Sequence, residues 1–145
     1  MNKGKRIWIA LFLALALMLI LSGCSGLPKT AKINVSIDPN PVPYSSEDGK
    51  WHYTMTISES NGVGVTLSSL RFDDYDQAEQ LYATQFTYEE DIIDWFGSNY
   101  ILAFSMLQTG MTYSGIAKYA VITVEGVDDN DNPIEATVRV DYLPQ

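Results

Sequence analysis

The sequence predicts an all-β protein, an antiparallel β-sandwich of about seven strands with one short helix in a mid-chain connection. Three observations predict it. Apolar residues recur with a period of two along several short runs, which is the signature of half-buried strands. Turn-forming residues punctuate those runs at the short spacing typical of sandwiches, and no alternation of strands with long helical patterns suggests a parallel sheet. The 145 residues, 46% hydrophobic and 19% charged, suffice for one domain with a core of its own.

The first element is an address. Lys3, Lys5 and Arg6 precede an unbroken apolar run from Ile7 to Leu21, followed by Leu21-Ser22-Gly23-Cys24. As a helix the run rises ~22 Å, short of the roughly 30 Å hydrocarbon core, so a cleaved signal peptide fits better than a permanent span. The tetrapeptide resembles the lipobox of bacterial lipoproteins, with Cys24 the only cysteine of the chain. That resemblance implies acylation of the Cys24 thiol, cleavage before it, and anchoring to the cell membrane or outer membrane on the extracytoplasmic side. The alternative is an ordinary signal peptide followed by a free thiol. Residues 1–23 are thus read as the signal peptide, 24–32 as a lipidated tether and 33–145 as the domain. Beyond Cys24 the chain holds 6 Lys/Arg and 18 Asp/Glu, a net charge of −12. Such a surface excludes electrostatically driven nucleic-acid binding and polybasic lipid attachment.

In the domain, Ile33, Val35 and Ile37 alternate with polar residues as a first strand, ended by the prolines at 39, 41 and 43. Trp51, Tyr53, Met55 and Ile57 form a second. Asn61-Gly62 predicts a hairpin, with Val63, Val65 and Leu67 returning as the partner strand. The slip at Ser68-Ser69 before Leu70 and Phe72 predicts a bulge. Thr87-Tyr88-Glu89-Glu90 matches a capping box with Thr87 as N-cap, and Tyr88, Ile92, Trp95 and Phe96 then share one helical stripe ended by Gly97. A second short helix around residues 77–82 is an open alternative for the ambiguous stretch Asp73–Gln85. Tyr100–Leu107 and Tyr119–Glu125 read as strands, Gly126–Pro133 as an acidic turn, and Ile134–Tyr142 as the last strand.

The segment Gly115 to Val124 (GIAKYAVITV) resembles the start of the penultimate strand in immunoglobulin-like and fibronectin type III domains. The resemblance implies a tyrosine corner in which the Tyr119 hydroxyl bonds back to the preceding loop. It departs from antibody domains in lacking a cysteine pair.

Chemistry is sparse. No hydrolase or phosphate-loop motif occurs, and His52, the single histidine, alternates outward. One histidine and an acylated cysteine cannot make a zinc site. Glu89, Glu90, Asp91 and Asp94 crowd the first turns of the helix, where acids favour the dipole without forming a glycosidase pair. Asp128-Asp129-Asn130-Asp131-Asn132-Pro133 resembles the calcium-holding linker of cadherins, although a plain hairpin turn explains the same residues. Trp51, Trp95 and most tyrosines fall in core stripes, with Tyr44, Tyr75 and Tyr113 freer to meet a ligand. The reading that results is a non-catalytic envelope module for binding or adhesion, without cofactor or metal, whose partner is a protein or glycan. The alternatives are an accessory subunit of an envelope complex and a calcium-dependent adhesion domain.

Overall fold

A computed structural model describes residues 29–145, which build two antiparallel sheets facing one another. The signal peptide and lipid anchor expected at Cys24 lie outside the described residues. Seven longer strands and two of two residues each make up the sheets: β1 (Ile33–Asp38), β2 (Tyr44–Ser45), β3 (Lys50–Glu59), β4 (Val65–Tyr75), β5 (Leu81–Tyr88), β6 (Tyr100–Ile101), β7 (Met106–Tyr113), β8 (Tyr119–Asp128) and β9 (Pro133–Asp141). The single helix among the described residues, α1 (Glu89–Phe96), joins β5 to β6.

In the first sheet β1 and β2 follow one another along one edge of β3, and β7 lies along the other. The second sheet runs β5-β4-β8-β9, with β6 continuing the line of β5 beside β4. Alternation decides the core. Trp51, Tyr53, Met55 and Ile57 from β3 meet Val65, Leu67, Leu70, Ile122 and Val124 from the second sheet, and all are buried. The bulge predicted at Ser68-Ser69 is present: the β4–β8 register slips between Leu67 and Ser69. It restores the alternation, so that Leu70 faces inward opposite Val124, while Ser69 lies on the outer face and bonds the Glu125 carboxylate at 2.7 Å. Gly126 lies opposite, where a Cβ would sit 2.3 Å from the Thr66 carbonyl oxygen, so the two strands can approach only over glycine.

Several expectations are corrected. Asn61-Gly62 does not close a hairpin. Both edges of β3 are already taken by β1 and β7, so the turn, with Gly62 at φ +82°, carries the chain across to the other sheet. Residues 77–82 are not helical: β4 and β5 form a hairpin whose turn is fixed by the Asp76 carboxylate accepting the N–H groups of Ala78 and Gln80 at 2.9 Å. Thr87 is not an N-cap, because pairing of β5 with β4 runs on to Tyr88 and keeps Thr87 buried in the ladder. Tyr88 precedes the helix with no side-chain cap, and Gly97 ends it at φ +77° as expected. Of the helical stripe only Ile92 is fully buried. The strand expected over Tyr100–Leu107 breaks into β6, a turn, and the start of β7. β8 and β9 extend further than expected, leaving a turn over 129–132.

The tyrosine corner is displaced. Tyr119 stacks on Tyr75 with ring centroids 4.7 Å apart, and the Arg139 guanidinium lies 3.7 Å from its ring centroid. The backbone bond of the preceding loop goes to another phenol: the Ala117 N–H donates to the Tyr113 hydroxyl at 3.0 Å.

Candidate binding site

The two flanks of the sandwich differ. On one, Val42 pairs with Tyr142 and exchanges backbone bonds with Asp141 and Leu143, while β1 packs beside β9, so that flank is stapled. On the other, the backbone of β5 pairs only with β4 and that of β7 only with β3, with α1 spanning between them. Both strands are uncharged: β5 reads LYATQFTY and β7 reads MLQTGMTY. Soluble proteins guard such edges with lysine, proline or inward charges, none of which is present here. Leu81, Tyr82, Phe86 and Tyr88 of β5 are exposed, and the rings of Phe86 and Tyr88 stand nearly parallel, 6.4 Å apart.

Between the two edges lies a cleft of about 200 Å³. Phe72, Trp95, Met111 and Tyr113 form its walls, and Tyr53 and Asp74 lie deeper. Trp95, 40% exposed, leans edge-on against Phe72 at 6.2 Å. The hydroxyls of Tyr82 and Tyr113 meet at 2.7 Å and tie the two edge strands together. Asp74 is the polar floor, 6% exposed, and burial raises its carboxyl above the ordinary range, opposed in part by a hydrogen bond from Tyr113. Burial also raises the phenols of Tyr53, Tyr113 and Tyr142, so all three are neutral donors at physiological pH. Asp73, one residue away, faces elsewhere: it binds the Arg71 guanidinium at 3.0 Å and the Thr84 hydroxyl at 2.8 Å. The cleft therefore holds one carboxyl among hydroxyls, an arrangement that can hydrogen-bond a ligand.

Of the residues weighed from sequence, Trp95 and Tyr113 line this cleft. Tyr44 packs against Trp51 at 4.9 Å, and Tyr75 is engaged with Tyr119, so neither is as free as expected. Trp51 is buried and donates its indole N–H to the Leu143 carbonyl at 2.9 Å. His52 is exposed and bonded to Asp48 at 2.7 Å, and Glu89, Glu90, Asp91 and Asp94 are exposed on α1, away from the cleft. Asp74 escaped sequence reading, although the alternation after the bulge carries the signal: Leu70 and Phe72 face inward, and Asp74 occupies the next inward position.

The acidic turn has an internal explanation. Oδ1 of Asp128 accepts the N–H groups of Asn130 and Asn132 at 2.9 Å, and Oδ2 accepts that of Ala31 at 2.9 Å. Although burial opposes it, these donors hold the carboxyl down at about 2. They occupy the oxygens a cation would need. Among the described residues no three His, Cys, Asp or Glu side chains converge as a metal-binding group, and no helix is long and apolar enough to cross a membrane.

No protein-family model and no curated protein matches the chain. Several solved structures resemble it at low identity. The CARDB domain of a Pyrococcus furiosus protein, solved in complex with two metal ions, is 13% identical; the match covers 83% of this chain and all of that one, with a TM-score of 0.44. A Bordetella pertussis protein assigned as ApaA is also 13% identical, covering 81% and 98%, with a TM-score of 0.46. The sporulation control protein Spo0M of Bacillus subtilis is 10% identical, covering 81% and 51%, with a TM-score of 0.43. A β-sandwich architecture of this kind hosts many functions.

Proposed function

We propose that this chain is a non-catalytic binding module of the cell envelope, held at a membrane by acyl groups on Cys24, which takes an extended segment of a partner protein along the β5 edge. One observation carries the reading: an eight-residue edge strand without charge or proline flanks the open side of an otherwise acidic domain. An added strand would satisfy the unpaired backbone groups of β5, and the exposed Phe86 and Tyr88 rings would grip its side chains. The cleft is smaller than the roughly 300–1,000 Å³ typical of small-molecule pockets, which favours recognition of one side chain of a longer peptide. A single carboxyl with Asp73 turned aside offers no acid–base pair, in keeping with a binding role.

The test is site-specific photo-crosslinking in membranes. A crosslinker at Gln85 should give a discrete heavier adduct that Phe86→Lys abolishes, while one at Glu135 on β9 should give none. Equal adducts at both positions, or an adduct indifferent to the lysine, would refute strand addition at β5. A Gln85 probe that meets only glycan would replace the protein partner with a sugar stacked on Trp95.

A further inference from the structure

The turn between β6 and β7 carries Leu102, Ala103 and Phe104 at its tip. Leu102 is 64% and Phe104 72% exposed, and Met106 beside them is also exposed. Turn tips normally hold Gly, Asn, Asp, Ser or Pro, so three successive apolar residues are out of place in water. The tip is firmly built. The Ser105 N–H donates to the Leu102 carbonyl at 3.0 Å, the Glu59 N–H donates to the Ser105 carbonyl at 2.9 Å, and the Phe104 N–H donates to Glu59 Oε2 at 3.1 Å. Phe104 itself is held at φ +57°, a left-handed conformation that a phenylalanine adopts only when its surroundings impose it. Its ring lies against Gly62, where a Cβ would come within 2.5 Å of it.

The position of this tip decides what it faces. The carboxylate that holds Phe104 also accepts the Lys32 N–H at 3.1 Å, while the side-chain amides of Asn61 and Asn130 hold the carbonyls of Thr30 and Lys29 at 2.7 and 2.8 Å. The chain coming from Cys24 therefore reaches the domain beside the Leu-Ala-Phe tip. Only Ser25–Pro28 intervene between Cys24 and Lys29, a reach of at most ~18 Å when fully extended. A headgroup layer is itself roughly 5–8 Å deep, so a domain tethered this closely must present this end to the lipid.

We infer that the Leu102–Phe104 turn is a membrane-contacting tip that rests among the headgroups of the bilayer to which Cys24 is acylated. The inference depends on that acylation. Its chemistry is apolar: Asp129 and Asp131 share this end with Lys29 and Lys32, so no cationic cluster recruits anionic lipid, and a zwitterionic surface suffices. Ile116, equally exposed, lies in the β7–β8 turn at the opposite end of the sandwich and provides an internal control.

The full acylated chain, reconstituted into phosphatidylcholine vesicles containing a spin-labelled lipid, tests this directly. Phe104→Cys, Leu102→Cys and Ile116→Cys each carry an environment-sensitive fluorophore, Cys24 being blocked by its thioether. Leu102 serves as a second reporter in case the strained position 104 tolerates labelling poorly. Lipid-borne quenching should be at least about threefold stronger at 102 and 104 than at 116. Equal quenching at both ends would overturn the tip while leaving the anchor standing. Shielding of 102 and 104 from aqueous iodide without lipid quenching would overturn it in favour of a protein cover. Persistence of Cys24→Ser chains, cut before residue 24, in carbonate-washed membranes would overturn the anchor, and this inference with it.

Discussion

Glu59→Gln should be the most informative single substitution in the domain. Glu59 is buried at the end of β3, and its carboxylate accepts four backbone N–H groups: Lys32 and Asn61 on one oxygen at 3.1 and 2.7 Å, Gly62 and Phe104 on the other at 2.8 and 3.1 Å. Burial alone would raise its pKa, but the four donors hold it down at about 2, against an ordinary 4.5. A depressed carboxylate contributes stability that is complete above its unfolded pKa and is lost as pH falls through the folded one. At ~1.4 kcal/mol per unit the difference is at most about 3.5 kcal/mol at neutral pH, and solvent at the rim of the domain screens part of it. Glutamine keeps one acceptor and turns an NH₂ toward two N–H donors, forfeiting two bonds to a charged group at ~1.5–3 kcal/mol each before relaxation. The substitution should therefore cost about 2–3 kcal/mol at pH 7. Denaturant midpoints from pH 7 to pH 2, measured on the chain from Ser25 onward, provide the check. The gap between wild type and variant should close between about pH 4.5 and pH 2. A gap below ~0.5 kcal/mol at pH 7, or one that stays constant to pH 2, would refute the assignment of Glu59 as the clamp.

Two further outcomes follow from the same bonding. Tyr113→Phe removes the acceptor of the Ala117 N–H and the partner of Tyr82, and should cost about 1 kcal/mol by denaturant midpoint, whereas Tyr119→Phe, which keeps its stacking on Tyr75, should cost less. Asp128→Asn should lower the melting temperature, and more so at pH 7 than at pH 2, because only the ionised carboxylate accepts the three N–H groups on both of its oxygens; millimolar Ca²⁺ should leave the wild-type melting temperature unchanged.

What sequence conveyed here depended on whether a residue's neighbours in the chain were also its neighbours in space. β3 and β9 were legible because one face of each is buried against the opposite sheet and the other is wet, so period two survives in the residue string. β5 was not legible, since at an edge most of its residues are exposed and alternation carries no information. Asn61-Gly62 announced a turn correctly and a partner wrongly. A local signal specifies positive φ, while the destination of the chain depends on which edges of β3 remain vacant. Thr87 illustrates the same competition, with ladder pairing overriding a good capping sequence. The corner phenol was assigned to the right loop but the wrong tyrosine, because Tyr113 reaches it from the preceding strand. The cleft combines β3, β4, β5, β7 and the helix, and no contiguous motif could display it.

If β5 takes up a partner strand, the Val42 bridge on the far flank bears on how many copies can join. Filaments built by lateral strand addition need two vacant edges on opposite sides of each unit, so that every newcomer leaves a fresh one exposed. Here the uncharged edges, β5 and β7, open on one side, whereas on the other β9 carries Pro133, Glu135, Arg139 and Asp141 and its C-terminal end is covered by the Val42 segment. An occupant docked on the open side consumes it, and two copies meeting there would exhaust each other as a symmetric pair. On the strand-addition reading, a bound segment would thus leave no second edge equally free of charge for a further copy.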